Sequence, residues 1–139
     1  MSRILAVDFG NRRVGMALSD PLKIIATPLG TLNISSLEDG VRQILDRCKE
    51  HLPEAVVIGY PIGTSGRKTE QTVIVDKVIA LLKAELDVPL VPWDERYTSV
   101  EAKDILRQQG ISTRNNKGKI DQTAARIMLQ EYLDTKVKR

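Results

Sequence analysis

Residues 3–19, RILAVDFGNRRVGMALS, decide the fold of this chain. Residues 3–9 form a short, mostly aliphatic run that predicts a buried strand, and residues 14–19 predict a second strand returning beside it. The residues between them, Gly10 to Arg13, predict a turn. The chain therefore opens with an antiparallel hairpin, and a carboxylate, Asp8, lies near the end of its first strand.

Further strands and helices alternate after this hairpin. Each strand is predicted from a short apolar run and each helix from apolar residues at helical spacing. The strands are predicted at residues 29–32, 55–60 and 89–94. The first helix starts at Leu37 and is ended by Pro53, and the second covers about residues 69–86. A third helix opens at a Thr98–Glu101 capping box and stops at Gly110, and the last runs from near Asp121 to about Leu133. This order predicts an α/β fold in which a mixed five-stranded sheet is flanked by helices on both faces.

Length and composition narrow the possible functions. The 139 residues fit one domain, residues 1–139. The single cysteine, Cys48, excludes an internal disulfide, and the single histidine, His51, excludes sites that need two imidazoles. No apolar run approaches the roughly 20 residues that span a bilayer. We therefore expect a cytoplasmic protein with no membrane partner.

The positive charge is concentrated in the last third of the chain. The net charge is +3, of which residues 96–139 carry +5 and residues 1–95 carry −2. Basic residues cluster at Arg114, Lys117 and Lys119, directly before Asp121. Because a basic segment attracts phosphate backbones, this cluster predicts contact with nucleic acid.

Acidic residues lie at three predicted element ends, and ligands bind at such ends in sheets of this type. They are Asp8, the adjacent pair Asp94 and Glu95, and Asp121. A cluster of these carboxylates would predict a divalent cation. Each also has a simpler interpretation: Asp8 could accept turn hydrogen bonds, and Asp121 could favour the first turn of a helix. Asp94 and Glu95 point to opposite faces of a strand, and the pattern does not choose between them.

The loop after the strand at residues 55–60 is long, glycine-rich and basic. The stretch GYPIGTSGRK, residues 59–68, starts at the end of this strand and lacks the Walker pattern of a nucleotide-binding loop. Its length favours a functional loop, with Arg67 contacting nucleic-acid backbone, over an ordinary flexible connection.

Four segments together resemble the YqgF family, also called RuvX, of Holliday junction resolvases. They are AVDFGNRRVGMALSD at residues 6–20, VVIGYPIGTSGR at 56–67, VPWDERYTSVEA at 91–102 and GKIDQTAARIMLQEYL at 118–133. Each segment alone would be a weak signal, but four in the same order over nearly the whole chain are specific.

The resemblance implies a ribonuclease H-like fold and a metal-dependent nuclease. It implies that Asp8, Asp121 and Glu95, rather than Asp94, are catalytic and bind Mg²⁺ or Mn²⁺ for two-metal hydrolysis of a phosphodiester. Two substrates are implied, branched DNA such as a Holliday junction and structured RNA at the 5′ end of pre-16S ribosomal RNA. Candidate phosphate contacts are Arg12, Arg67, Arg96, Arg114, Lys117 and Lys119.

Other interpretations remain open at this point. The chain could be a nucleic-acid-binding or ribosome-assembly module with little or no hydrolysis, in which the acids are incidental. An actin-like ATPase also begins with an aspartate-bearing hairpin, but that fold needs two such domains. The oligomeric state is left as monomer or homodimer, because a resolvase that cuts two strands would need a dimer.

Overall fold

The computed structural model describes residues 2–63, 65–94, 105 and 117–136, and for residues 117–119 it describes the backbone alone. Five strands and three helices lie within these residues. They are β1 (Ile4–Phe9), β2 (Arg13–Ser19), β3 (Ala26–Asn33), α1 (Leu37–His51), β4 (Ala55–Tyr60), α2 (Glu70–Glu85), β5 (Leu90–Asp94) and α3 (Lys117–Lys136).

The five strands form one mixed sheet in the order β3-β2-β1-β4-β5. β1 pairs antiparallel with β2, and β2 pairs antiparallel with β3, so the first three strands form a meander. β1, β4 and β5 are parallel neighbours, joined by helical crossovers. The mixed five-stranded sheet predicted from the element order is therefore confirmed.

Helices cover both faces of the sheet, as the sequence predicts. One buried cluster contains Leu5, Val7 and Phe9 of β1 together with residues of α1 and α2. The other contains Ile4 and Ala6 of β1 together with residues of α3. The side chains of β1 thus alternate between the two cores, which explains why its sequence is almost continuously apolar.

Most predicted bounds agree with the structure within about two residues, and β4 agrees at both ends. Two differ more. β3 begins at Ala26 because Thr27 and Pro28 pair with β2 at the sheet edge, where a proline is tolerated. α3 is already helical at Lys117, four residues before the predicted start. The helix predicted to end at Gly110 lies outside the described residues except for Ile105, which is helical and packs against Ala124 and Ile127.

Side-chain caps fix where the first two helices begin. At the start of α1, the Ser36 hydroxyl accepts a hydrogen bond from the Asp39 N–H at 3.0 Å. Thr69 and Thr72 form a reciprocal capping box at the start of α2. None of the described helices is long and apolar enough to cross a bilayer.

Candidate active site

Asp8 lies on the face of the sheet that α3 covers. Ile4 and Ala6 pack into the α3 core, and side chains two residues apart on a strand share a face, so Asp8 continues their series. Its cross-strand partner on β2 is Gly15. Asp8 is half-buried at the carboxyl end of β1, where ligands bind in sheets with this topology.

Gly15 brings Asp121 to the same place. A Cβ atom at Gly15 would overlap the backbone carbonyl of Asp121 and lie 2.9 Å from the nitrogen of Gln122. The backbone of α3 therefore rests directly on β2 opposite Asp8, which requires a residue without a side chain at position 15. Ala124 and Ala125, the small residues that follow on α3, are buried, and Ala125 packs into the core between α3 and the sheet.

The helix-dipole interpretation of Asp121 is wrong. α3 has no acidic residue in its first turn, and Asp121 is the fifth residue of the described helix. The dipole effect falls off within the first turn, so it does not account for an acid at this position. The side chain of Asp121 instead takes part in a contact with β2.

Arg13, which sequence reasoning missed, makes that contact. Its Nε donates a hydrogen bond of 2.8 Å to Oδ2 of Asp121, and both side chains are about one-third exposed. Arg13 lies two residues before Gly15, so it shares the α3 face and is a diagonal neighbour of Asp8. The positively charged guanidinium of Arg13 thus lies close to both carboxylates. The small residues Gly15 and Ala17 at the same spacing were the available signal that this face of β2 meets a helix.

A polar pocket opens beside this ion pair. It has a volume of about 370 Å³ and is lined by the turn residues Gly10, Asn11, Arg12 and Arg13 together with Asp121. The exposed residue Arg12, a predicted phosphate contact, therefore shares a pocket with the predicted catalytic residue Asp121.

Strand alternation separates Asp94 from Asp8. Val91 and Trp93 of β5 pack into the α3 core, whereas Leu90 packs into the core under α1 and α2. Asp94 follows the Leu90 series and pairs in register with Tyr60, which packs on that same α1 and α2 side. Asp94 therefore lies on the opposite face of the sheet from Asp8. Glu95, the acid that the resemblance indicates, lies outside the described residues.

The other predicted phosphate contacts are only partly described. Arg67 is exposed in the loop that follows β4, at the same edge of the sheet as the end of β1. Lys117 and Lys119 belong to α3, but their side chains are outside the described part of the chain. Arg96 and Arg114 lie wholly outside it.

The loop that carries Arg67 is a folded turn in its described residues. The Gly63 N–H donates to the Arg67 carbonyl at 2.9 Å, and Ile62 bridges to Lys68. Lys68 Nζ lies 2.9 Å from Oδ2 of Asp76, and this hydrogen bond raises the pKa of Lys68 and lowers the pKa of Asp76. The turn is therefore tied to α2.

The start of α2 is in turn tied to the end of β1. The Gln71 side-chain amide donates a hydrogen bond of 2.7 Å to the carbonyl of Phe9, directly after Asp8. Sequence reasoning also missed this residue, because Gln71 and Phe9 are 62 positions apart. The contact fixes the backbone that carries the Asp8 carboxylate.

The oxygen donors of the site fit a magnesium-type cation in part. Asp8 and Asp121 approach one edge of the sheet from two elements, and Mg²⁺ is often held by one or two protein carboxylates with water. Among residues 2–63, 65–94, 105 and 117–136, no three His, Cys, Asp or Glu side chains are grouped to hold a metal ion. A third ligand would have to come from another part of the chain, such as Glu95.

Solved structures with the same fold include two resolvases. The Fowlpox virus resolvase in complex with Holliday junction DNA matches with a TM-score of 0.62 and 13% identity, over 98% of this chain and 99% of that chain. RuvC from T. thermophilus, in complex with a Holliday junction substrate, matches with a TM-score of 0.59 and 16% identity, over 96% of this chain and 94% of that chain. Identities this low establish the fold alone, which is ribonuclease H-like.

Relatives at higher identity share a different name, "Putative pre-16S rRNA nuclease". The protein of that name from Dictyoglomus turgidum is 38% identical, over 96% of this chain and 94% of the relative. The one from Chloroflexus aurantiacus is 40% identical, over 96% of this chain and 87% of the relative. The family model described as "RuvX: Holliday junction resolvase" matches residues 2–135. The chain therefore belongs to the RuvX family of nucleases.

Proposed function

We propose that this protein is a metal-dependent nuclease that hydrolyses phosphodiester bonds of structured nucleic acid, with Asp8, Glu95 and Asp121 as its catalytic carboxylates. One observation carries the proposal. The backbone of α3 at Asp121 rests on Gly15, the cross-strand partner of Asp8, so that acids 113 positions apart in sequence approach one edge of the sheet.

The composition of this edge supports phosphate chemistry. Asp121 lies in the wall of a polar pocket together with Arg12 and Arg13, and Asp8 lies on the neighbouring strand as a diagonal neighbour of Arg13. Arginine recognises phosphate oxygens through its planar set of N–H donors. Carboxylates that would hold a cation thus lie next to arginines, which supports a site for cleavage of a phosphodiester.

Mg²⁺ or Mn²⁺ bound to the carboxylates would lower the pKa of a water molecule and stabilise charge on the leaving oxygen. The residues of the chain have separate tasks. Asp8, held by the β1 backbone that Gln71 fixes, and Asp121, oriented by Arg13, would hold the cation together with Glu95. Arg12 and Arg67 would contact phosphates on either side of the cleaved bond, and Arg96, Arg114, Lys117 and Lys119 would extend that contact.

We propose structured RNA as the first substrate class, specifically the 5′ end of pre-16S ribosomal RNA. The support is the name shared by relatives that are 38% and 40% identical over nearly the whole chain. Branched DNA is the second class, supported by the family description and by the resolvases that share the fold. Processing of a ribosomal precursor would take place in the cytoplasm.

Side-by-side cleavage assays with Mg²⁺ test the proposal on a precursor 16S RNA fragment and on a four-way DNA junction. We expect Asp8→Asn and Asp121→Asn each to lose at least about 100-fold in rate, because a direct ligand should matter at least as much as an outer-shell partner. Asp87→Asn, an exposed acid just before β5, is the matched control and should retain activity. Undiminished cleavage by Asp8→Asn would refute the proposal. Tight binding with no cleavage by the parent protein would instead indicate an assembly module.

A further inference from the structure

We infer that the polar pocket at the β1–β2 turn is a binding subsite for one backbone phosphate, and that Arg13 serves it while holding Asp121. The inference rests on the proposed function for the identity of the ligand, a nucleic-acid phosphodiester. It adds a residue and a subsite that the resemblance does not indicate, because Arg12, not Arg13, is the predicted phosphate contact of this turn.

Arg13 uses only part of its guanidinium group to hold Asp121. A guanidinium carries five N–H donors, and Arg13 donates only its Nε hydrogen to Oδ2 of Asp121. Within the described part of the chain, the side chain of Arg13 makes no other hydrogen bond. Its terminal Nη groups can therefore donate to an anion without releasing Asp121.

Backbone contacts fix the walls of the pocket. The Gly10 N–H donates to the Arg13 carbonyl at 2.8 Å, and the Ile34 N–H donates to the Arg12 carbonyl at 2.9 Å. Asp121 is held from the other side by the contact of α3 with Gly15. A pre-formed site loses little conformational freedom when it binds its ligand.

The charge of the pocket lining also suits a phosphate. The charged side chains that line the pocket are two arginines and one carboxylate, so the lining is net positive beside the acids. The two carboxylates alone would repel the negatively charged substrate backbone. The arginines offset this repulsion at the place where the phosphates must approach.

The competing interpretation is that Arg13 only neutralises Asp121 and has no contact with substrate. The two interpretations differ in what happens when Asp121 loses its charge. If Arg13 binds phosphate, Asp121→Asn leaves that donor in place and removes a repulsive carboxylate. If Arg13 only supports Asp121, then Arg13→Gln and Asp121→Asn break the same contact and should have the same effect.

The experiment measures binding of a fluorescently labelled four-way DNA junction in EDTA, at several salt concentrations. Because no cleavage is needed, failure of the nuclease assignment would not affect the readout. We expect Arg13→Gln to bind about 10-fold more weakly, as for loss of one charge-assisted hydrogen bond, with a salt slope reduced by about one. We expect Asp121→Asn to bind at least as tightly as the parent.

Lys83→Gln, which removes one exposed positive charge from α2, is the matched control and should bind like the parent. Unfolding curves verify that each variant is folded. Arg13→Lys serves as a second variant, and we expect weaker binding from it as well, because lysine cannot hold Asp121 and phosphate with one planar group. Parent-like binding and salt slope in Arg13→Gln would overturn the inference, as would equal weakening by Arg13→Gln and Asp121→Asn.

Discussion

Replacing Gly15 with alanine tests how the fold positions Asp121. The added methyl group would point at the backbone of α3, overlapping the Asp121 carbonyl and lying 2.9 Å from the Gln122 nitrogen. Ordinary van der Waals contact of a Cβ atom begins at 3.4 Å. Since backbone atoms cannot rotate away as a side chain can, the helix itself must move.

The size of the effect follows from that displacement. At Gln122 the helix must retreat by at least about 0.5 Å to restore contact at 3.4 Å, and at Asp121 by more. Overpacking of a buried contact costs about 1–3 kcal/mol, and a clash with backbone belongs at the upper end of that range. A misplacement of about 1 Å in a catalytic group can lower the rate about 100-fold.

Two measurements on Gly15→Ala check this prediction. Urea unfolding should show a free energy of unfolding lower by about 3 kcal/mol, and cleavage with Mg²⁺ should slow by about 100-fold at a temperature at which the variant is folded. Ile44→Ala is the stability-matched control. Ile44 is fully buried on α1 beneath the opposite face of the sheet, so its loss should cost about 2–5 kcal/mol without moving Asp121.

Gly15→Ala should therefore lose far more activity than Ile44→Ala at similar stability. If Gly15→Ala unfolds within about 0.5 kcal/mol of the parent and cleaves at the parent's rate, the reasoning about the β2–α3 contact is refuted. If both variants lose activity equally, the loss reflects general instability and the positioning role of this contact is wrong.

Three further predictions concern the scaffold. A hydrogen bond from the Ser35 N–H holds the pKa of Asp39 at about 2 in the folded protein, against about 3.9 in the unfolded chain. The stabilisation from Asp39 is therefore complete above about pH 4 and is lost as the pH falls through 2. Asp39→Asn should reduce the pH dependence of the free energy of unfolding over that interval, and an unchanged pH profile would contradict this. Leu52 caps α1 in the left-handed backbone region, with φ 49°, and its side chain is 73% exposed. Leu52→Gly should relieve this backbone strain, raising the free energy of unfolding by about 1 kcal/mol and with it the melting midpoint. A lower midpoint would argue against strain at this position. Burial raises the pKa of the Cys48 thiol to about 11, so iodoacetamide at pH 8 should label it only as fast as the protein unfolds, and rapid labelling of the folded protein would disprove its burial.

The hairpin and the alternating part of the fold were predictable because their signals are local. Residues 55–60 are apolar at every position except the glycine, and β4 proved to be buried on both faces. The caps Ser36 and Thr69 act within three residues along the chain. Each of these features depends on neighbours in sequence, so the pattern alone contains the information.

The contacts that assemble the candidate site were not predictable in the same way. Arg13 and Asp121 are 108 positions apart, and the local sequence around either residue does not indicate that the two are in contact. The choice between Asp94 and Glu95 had the same difficulty. Alternation indicates that the two point to opposite faces, but only the packing of Leu90 and Trp93 in two different cores shows which face Asp94 takes.

Direct titration with Mn²⁺, followed by electron paramagnetic resonance, is the sharpest test of the carboxylate site. The parent protein should bind Mn²⁺, Asp8→Asn should bind it at least about 10-fold more weakly, and Asp94→Asn, on the opposite face of the sheet, should bind it like the parent. Loss of binding in Asp94→Asn with full binding in Asp8→Asn would show that the cation lies elsewhere and that the proposed site is wrong.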